Sequence, residues 1–524
     1  MAAFSWFAVT VEKSGIASVF CDPVSGIASQ DEAVYGREAI EMASRGNFLT
    51  PTYLGRYVLN KPPLMQELAA LSVRVFGPSA FAVRLPSLLA AALTASLIFS
   101  LAWRMYSLPA ALCAAVLLAS SHLFYVFARF CMTDMLLVMW LTLAMFAISV
   151  DPAMRTRRFF WLFSVASGAA ILTKAAAGLL PLIALVVNVG LVPRESRPRV
   201  LRVVSAIFAS LAIALPWHLY QLAVHSRWFL AEYVWTAHFL VGVAAPPQYS
   251  SENHLVFYAR RMFLMDPVLS VLAVAALIPL ARNWRRRTAP LAWLAAALLV
   301  LCAFRYRSAY YLLPAIPALA LVATESLRMI PRRAQAAALA VLAICCTTKI
   351  IYGAQAWGIP ANLESQRSSA PALEHYCELH RSNGLILVNP DDEFYASILP
   401  IAQVRYALLQ PQPPSPPIDY AYLGIWMPAG QFARLRDWLP LYHGRLRSFR
   451  LDSDRAIGSV IWARSDAEIG AIIEGHPESD FSLPAKMATG LNPASHVQMP
   501  GGPGRVFLLS QTTGTYSEAR ACKL

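Results

Sequence analysis

Residues 84–351 form a run of 268 residues that contains only seven acidic side chains. Nothing else in the chain limits its fold as strongly. A stretch of this length with so few carboxylates has too little charge to cover a water-soluble surface. Its apolar segments are also too long to be buried in one soluble core. A helix needs roughly 20 apolar residues to cross the hydrocarbon. Ten candidate spans follow from this: 84–105, 108–128, 132–150, 158–175, 178–193, 202–222, 267–282, 289–304, 309–327 and 333–351. Lipid-facing backbone must satisfy its own hydrogen bonds, so these spans are expected to be helices. Over the whole chain 57% of residues are hydrophobic and 14% are charged, against about 25% charged in soluble domains. The composition excludes a disordered chain and an ordinary soluble enzyme.

The formal net charge of +14 would suggest a nucleic-acid partner in a soluble protein. Here the basic residues are explained by membrane orientation. Alternate loops carry Arg104; Arg155, Arg157 and Arg158; Arg194, Arg197, Arg199 and Arg202; Arg282, Arg285, Arg286 and Arg287; and Arg328, Arg332 and Arg333. The intervening loops carry Arg129, Lys174, Arg227, Arg260, Arg261, Arg305 and Arg307. The first set is the larger, at fifteen against seven. The positive-inside rule therefore places it in the cytoplasm. Residues 1–83, the loop 223–266 and everything after 351 then lie outside, with membrane lipids and not nucleic acid as surroundings. The eight cysteines are scattered and form no CxxC pair, so neither a zinc cage nor a disulfide framework is expected.

Three regions follow from composition: an N-terminal segment and first external loop with juxtamembrane helices (1–83), the membrane domain (84–351), and an external α/β domain (352–524). In the last, GLILVNP (384–390) and QVRYALL (403–409) read as strands, and PQPPSPP (411–417) as a linker. The final 40 residues are rich in Gly, Pro, Ser and Thr and are expected to be loosely ordered. Residues 1–30 hold neither a spanning run nor a signal peptide. Since the charge rule puts 21–83 outside, a first membrane helix missing from this gene model is expected.

The chemistry concentrates in a few motifs. Residues 31–87 read DEAVYGREAIEMASRGNFLTPTYLGRYVLNKPPLMQELAALSVRVFGPSAFAVRLPS. ARFCMTDMLL (128–137), LTKAAAGLLP (172–181), LPWHLY (215–220) and SAYYLLPAIPALAL (308–321) come next. On its own terms Glu32 closes an S-x-x-E capping box with Ser29 at a helix start. Asp31 beside it is a carboxylate just outside the bilayer. Asp134 sits near the outer end of a span, where an acid needs a partner or a polar cavity; Arg129 and Arg84 are the candidate partners. Lys61 is held by Pro62 and Pro63, which stiffen the backbone behind it.

The ordered set DE…KPP…RLPS…D…LTK…LPW…YLLP resembles the polytopic, lipid-phosphate-dependent glycosyltransferases of the GT-C fold. It is most similar to the aminoarabinose transferases of lipid A and the protein O-mannosyltransferases, over roughly residues 30–350. The resemblance implies a membrane all-α bundle of about 10–11 helices with a C-terminal soluble α/β domain. It implies a sugar carried on a polyprenyl phosphate and moved, with inversion, to a lipid, glycan or protein acceptor outside a bacterial cytoplasmic membrane. Asp31 would take the acceptor's proton as general base, with Glu32 and Asp134 beside it. Lys61, Tyr311, Arg305 and Lys174 would receive the leaving phosphate. Arg84 would anchor the span that it opens, and His238 would line the cavity.

No soluble cofactor is required by this chemistry. A divalent metal is unsupported, because the acid that precedes the KPP lysine in such transferases is Asn60 here. The arginine that tends to follow the histidine matching His238 is also replaced, by the run Phe239–Val243. DDEFY (391–395) is a competing acidic cluster, but acids at that place also favour a helix N-terminus. The competing functions are a lipid-linked sugar transporter and a non-catalytic membrane assembly protein. A transporter would need polar residues deep in several spans; the acids here cluster at the outer ends instead.

Overall fold

The computed structural model describes residues 30–53, 56–78, 80–230, 232–234, 237–238, 253–304, 307–356, 385–388, 419–420, 460–461, 466–488, 496–500 and 505–511. They fall into two compact units. One contains the described parts of 59–68 and 84–357; the other contains those of 11–58, 69–83 and 358–524.

Helices dominate. In chain order they begin with α1 (Gln30–Arg45), α2 (Leu64–Phe76), α3 (Ala80–Met105), α4 (Leu108–Ser120) and α5 (His122–Phe127). There follow α6 (Thr133–Val150), α7 (Arg157–Lys174), α8 (Leu180–Leu191), α9 (Val200–His225) and α10 (His254–Met265). The last of the larger unit are α11 (Pro267–Ala275), α12 (Leu277–Asn283), α13 (Thr288–Ala303), α14 (Ile316–Ala323) and α15 (Arg332–Ala356). Each of the ten expected spans is helical. Among the described residues five segments are long and apolar enough to cross a membrane, or six if α12 and α13 count as one bent span. Some of the others are short helices with a polar cap at the break. Between α4 and α5, for example, the Asp266 carboxylate accepts hydrogen bonds from Ser121 Oγ at 2.8 Å and from the His122 N–H at 3.0 Å.

Packing follows side-chain size. α6 lies along α7, α7 along α9, and α8 along α13. At the α7–α9 crossing a Cβ on Gly168 would stand 2.7 Å from the Ile213 side chain and 2.9 Å from the Ser210 carbonyl. Only a glycine lets the two backbones approach so closely, as at other membrane helix contacts.

The segment Arg157–Leu191 shows how the chain reverses. In an unbroken helix residues 170 and 178 would be about 12 Å apart. Instead a Cβ on Gly178 would lie 2.3 Å from the Ala170 carbonyl oxygen. α7 ends at Ala175, whose φ of 35° and ψ of −111° turn the chain sharply, and a 3₁₀ segment (Ala175–Leu179) folds back before α8 starts. The two spans expected at 158–175 and 178–193 are thus two helices joined by a tight return.

In the other unit β1 (Thr52–Tyr53) pairs antiparallel with β2 (Arg56–Tyr57), and β2 pairs parallel with β4 (Asp419–Tyr420). A second sheet has the order β5-β3-β6-β8-β7. Its strands are β3 (Leu385–Val388), β5 (Val460–Ile461), β6 (Asp480–Pro484), β7 (His496–Pro500) and β8 (Arg505–Ser510). β3 is the strand expected in GLILVNP. Its neighbours β5 and β6 run parallel to it, and β8 runs antiparallel to both β6 and β7. Val388, Phe481, Leu483, Val506 and Leu508 pack against Ile469 and Ile473 of α16 (Asp466–Gly475).

The expectation of a loose final 40 residues is corrected for 496–510. They supply two strands of this sheet, and Phe507 is fully buried. Pro500 closes the first of these strands, where a missing N–H is tolerated. QVRYALL, the proline linker and DDEFY lie outside the described residues.

Candidate active site

The site starts from two helix ends. Asp134 is in the first turn of α6, and Lys174 is the last residue of α7. An acid suits a helix N-terminus and a base a C-terminus. Because α6 and α7 pack along each other in opposite directions, these two ends meet. Lys174 Nζ donates to Asp134 Oδ1 at 2.7 Å. The Asp134 side chain is 4% exposed and that of Lys174 18%. The partner of Asp134 is therefore Lys174, where Arg129 and Arg84 were the expected candidates.

Aromatic rings wall this ion pair. The segment Ala309–Ala315 is a 3₁₀ turn, and Trp293 Nε1 donates to the Pro314 carbonyl within it at 2.7 Å. The turn places the Tyr310 and Tyr311 ring centres 5.7 and 5.6 Å from Lys174 Nζ. Both distances are within cation–π range. Phe127 lies against Tyr310, with ring centres 5.7 Å apart. Tyr310 was not singled out by its motif; its pairing with Tyr311 across the same ammonium identifies it. Nearby Arg129 is fully buried, donates to the Tyr125 carbonyl and hydroxyl, and lies 3.7 Å from the Tyr125 ring centre.

Lys61 is half-buried ahead of α2 in the same unit. His238 is held by its neighbours: the ring nitrogen Nδ1 bonds the Tyr233 carbonyl, and its ring lies 4.6 Å from that of Tyr233. Tyr233 in turn bonds His218 Nε2 through its hydroxyl at 2.7 Å and stacks on Phe229 at 4.8 Å. Burial, with Lys61 and His218 close by, holds the His238 pKa below the ordinary histidine value against the raising effect of its carbonyl bond. Among the described residues no three His, Cys, Asp or Glu side chains converge to hold a metal ion.

Arg84 is buried in α3. Arg305 lies outside the described residues.

In the other unit Asp31 is in the first turn of α1, and Glu32 is fully buried. The side chain of Asp31 and the cap Ser29 lie outside the described residues. α1 also holds a charge pair that its motif did not reveal. Arg37 Nε donates to Glu41 Oε1 at 2.5 Å, and Glu41 Oε2 accepts from Thr52 Oγ1 at 2.8 Å. The i, i+4 spacing of Arg37 and Glu41 was the available signal. Glu67, in the first turn of α2, lies in an apolar setting that raises its pKa to about 7.

Residues 60–220 match the family model described as dolichyl-phosphate-mannose-protein mannosyltransferase. An uncharacterized protein of Aquifex aeolicus is 29% identical over 313 residues, which cover 57% of this chain and 59% of that one. The undecaprenyl phosphate-alpha-4-amino-4-deoxy-L-arabinose arabinosyl transferase of Pseudomonas aeruginosa is 30% identical over 319 residues, covering 58% of this chain and 56% of that enzyme. The matches thus span little more than half the length of these relatives. The crystal structure of ArnT from Cupriavidus metallidurans bound to undecaprenyl phosphate superposes with a TM-score of 0.60 at 16% identity, over 94% of this chain and 95% of that one. The chain is a multi-pass membrane protein with the GT-C fold, and its sequence is similar to those of the aminoarabinose and protein mannosyl transferases.

Proposed function

We propose that this protein is a glycosyltransferase that takes a sugar from a polyprenyl-phosphate donor and passes it to an acceptor on the outer face of a bacterial cytoplasmic membrane. The observation that carries the reading is the Asp134–Lys174 pair beneath Tyr310 and Tyr311. It is a buried, charged and aromatic-walled centre at the ends of membrane helices, where an ionisable group is costly unless it serves a purpose. The similarity of residues 60–220 to the mannosyltransferase model supports the same chemistry. The Pseudomonas relative's name makes 4-amino-4-deoxy-L-arabinose the first sugar to try.

In this reading the acceptor hydroxyl gives its proton to Asp31 as its oxygen attacks the anomeric carbon. The bond from that carbon to the phosphate oxygen breaks on the opposite side, which inverts the centre. Charge grows on the departing phosphate, where Lys61, Tyr311 and Arg305 supply fixed donors. Lys174 neutralises Asp134 and fixes its direction, so that Asp134 positions the acceptor. Glu32 is the carboxylate that adjoins Asp31 in α1. In this reading no soluble cofactor is required. The region after residue 351 selects the acceptor.

The test is sugar transfer in proteoliposomes containing undecaprenyl-phosphate-linked aminoarabinose, or other polyprenyl-phosphate sugars, with membrane extract as acceptor source. Wild type is expected to transfer at least one of them. Asp31→Asn should lose about 10²–10⁴ in rate, the usual range for a general base, and Lys61→Ala about 10²–10³. Transfer that survives Asp31→Asn would remove it as the base. Absence of transfer from every donor by well-folded protein would sink the reading.

A further inference from the structure

One buried carboxylate gathers two arginine-bearing turns at the far end of α14. That helix runs from the 3₁₀ turn Ala309–Ala315, beside Lys174, to a second 3₁₀ turn, Thr324–Met329. Glu325 in the second turn is fully buried and accepts from Arg287 Nε at 2.5 Å and from Arg328 at 3.4 Å. Arg287 is the structural member of the three: it is buried, and its guanidinium lies 3.9 Å from the Tyr106 ring centre. Arg328 keeps 50% of its side chain exposed. The segments 277–287 and 324–335 together hold seven arginines, and Glu325 is their only acid. Arg282, Arg285, Arg332 and Arg333 are exposed. Like charges brought together in this way repel one another, and an anion that joins them offsets the repulsion.

The approach to these arginines is apolar. α11 and α12 stay helical across Ala276, whose N–H donates to the Leu272 carbonyl at 2.9 Å and whose carbonyl accepts from the Leu280 N–H at 3.0 Å. Val271, Val274, Ile278 and Arg282 are spaced three or four residues apart, so they follow one face of this helical run. The three apolar members are each more than half exposed. Trp284 is also exposed, and the Arg285 guanidinium lies 5.6 Å from its ring centre. Tryptophan is enriched where a membrane helix meets water. An apolar strip that ends in arginines beside a tryptophan has the polarity of an acyl chain that ends in a phosphate.

We propose that this end of the bundle binds an anionic phospholipid, with an acyl chain along Val271, Val274 and Ile278 and the phosphate at Arg282, Arg285 and Arg328. A guanidinium offers paired N–H groups that match phosphate oxygens. A zwitterionic phospholipid brings its own cation, which the cluster repels, so the site selects by headgroup charge. A soluble phosphate makes no use of the apolar strip. The site is separate from the Asp134–Lys174 centre, from which α14 divides it.

The experiment is equilibrium binding of fluorescent phosphatidylglycerol to the purified full-length protein in uncharged detergent. Phosphatidylcholine with the same chains is the control, and inorganic phosphate at matched ionic strength is the soluble competitor. Wild type is expected to prefer phosphatidylglycerol, and millimolar phosphate to leave the bound lipid in place. An arginine near an anionic lipid surface is worth about fivefold in binding. Arg282→Gln/Arg285→Gln should therefore lose roughly thirtyfold, and Arg328→Gln about fivefold. Arg155→Gln/Arg157→Gln removes the same charge from exposed positions between α6 and α7 and should bind like wild type. Equal binding of the two lipids, or an equal loss in the Arg155/Arg157 variant, would reduce the cluster to a general charge effect and overturn the proposal. Displacement by phosphate would make it a soluble-anion site and overturn the lipid assignment. Should the Arg282/Arg285 variant not fold, Arg328→Gln decides alone, and unchanged binding there counts against the site.

Discussion

Replacing Lys174 with methionine should cost about as much stability as replacing both members of its ion pair at once, because the second change adds little when its partner is already gone. The two charges are 2.7 Å apart and the carboxylate is almost fully enclosed. At an effective dielectric of about 20 their attraction is roughly 6 kcal/mol. Much of that is offset by the cost of removing both groups from water. Removing one partner of a buried pair leaves the other uncompensated and typically costs about 3–5 kcal/mol. The Lys174 side chain keeps 18% of its surface exposed, which favours the lower end, about 3 kcal/mol. Asp134→Asn alone should cost somewhat less, because the lysine left behind can reach polar surroundings. The double variant Asp134→Asn/Lys174→Met should recover about 2 kcal/mol over the sum of the single changes. The assay is denaturant unfolding of the purified protein in mixed micelles, with all four proteins compared as a double-mutant cycle. A coupling below about 0.5 kcal/mol, the scale of exposed pairs, would refute the claim that this is a tight buried pair.

Other outcomes follow from single positions. Glu67, with its pKa raised to about 7 by burial, binds its proton more tightly folded than unfolded. Its contribution must therefore fall as pH rises from about 4.5 to about 7 and then level off, a loss of about 3 kcal/mol at most. Glu67→Gln should flatten that slope in a pH series of unfolding midpoints, and an unchanged slope would locate the titration elsewhere. At the opposite helix ends the fully buried Glu325 accepts from Arg287 Nε at 2.5 Å, while Arg328 is half exposed. Arg287→Met is expected to cost about 3 kcal/mol in denaturant unfolding, and Arg328→Ala under about 1 kcal/mol; similar losses would mean the two arginines share the carboxylate equally. Gly178→Ala would drive a Cβ to 2.3 Å from the Ala170 carbonyl. That requires the return after Lys174 to open, so thermal stability and sugar transfer should fall together; a variant that unfolds like wild type would contradict the tight return.

The membrane character, the helical spans and the identity of most candidate residues were legible without coordinates, because each rests on local chemistry. Long apolar runs must become helices in lipid whatever surrounds them. The strand Leu385–Val388 was legible for a similar reason, being a short apolar run between breakers. The partners were another matter. Asp134 and Lys174 are 40 residues apart, and no spacing rule relates them. They meet only because α6 and α7 pack in opposite directions and end at the same level, which brings Lys174 to Asp134 and not Arg129 or Arg84. Tyr310 stood beside Tyr311 in the motif, yet only the 3₁₀ turn puts both rings around one ammonium. Likewise His218 and His238 looked like isolated histidines until Tyr233 joined them. Composition also misread residues 496–510, since glycine and proline report on turns while strand pairing is decided by distant partners such as Phe481 against Leu508. The sequence by itself determined where this chain meets lipid and which side chains can do chemistry, for those depend on residue type and local period. Only the tertiary structure decided which of them share a proton or a charge, because that depends on where helix ends stop in space.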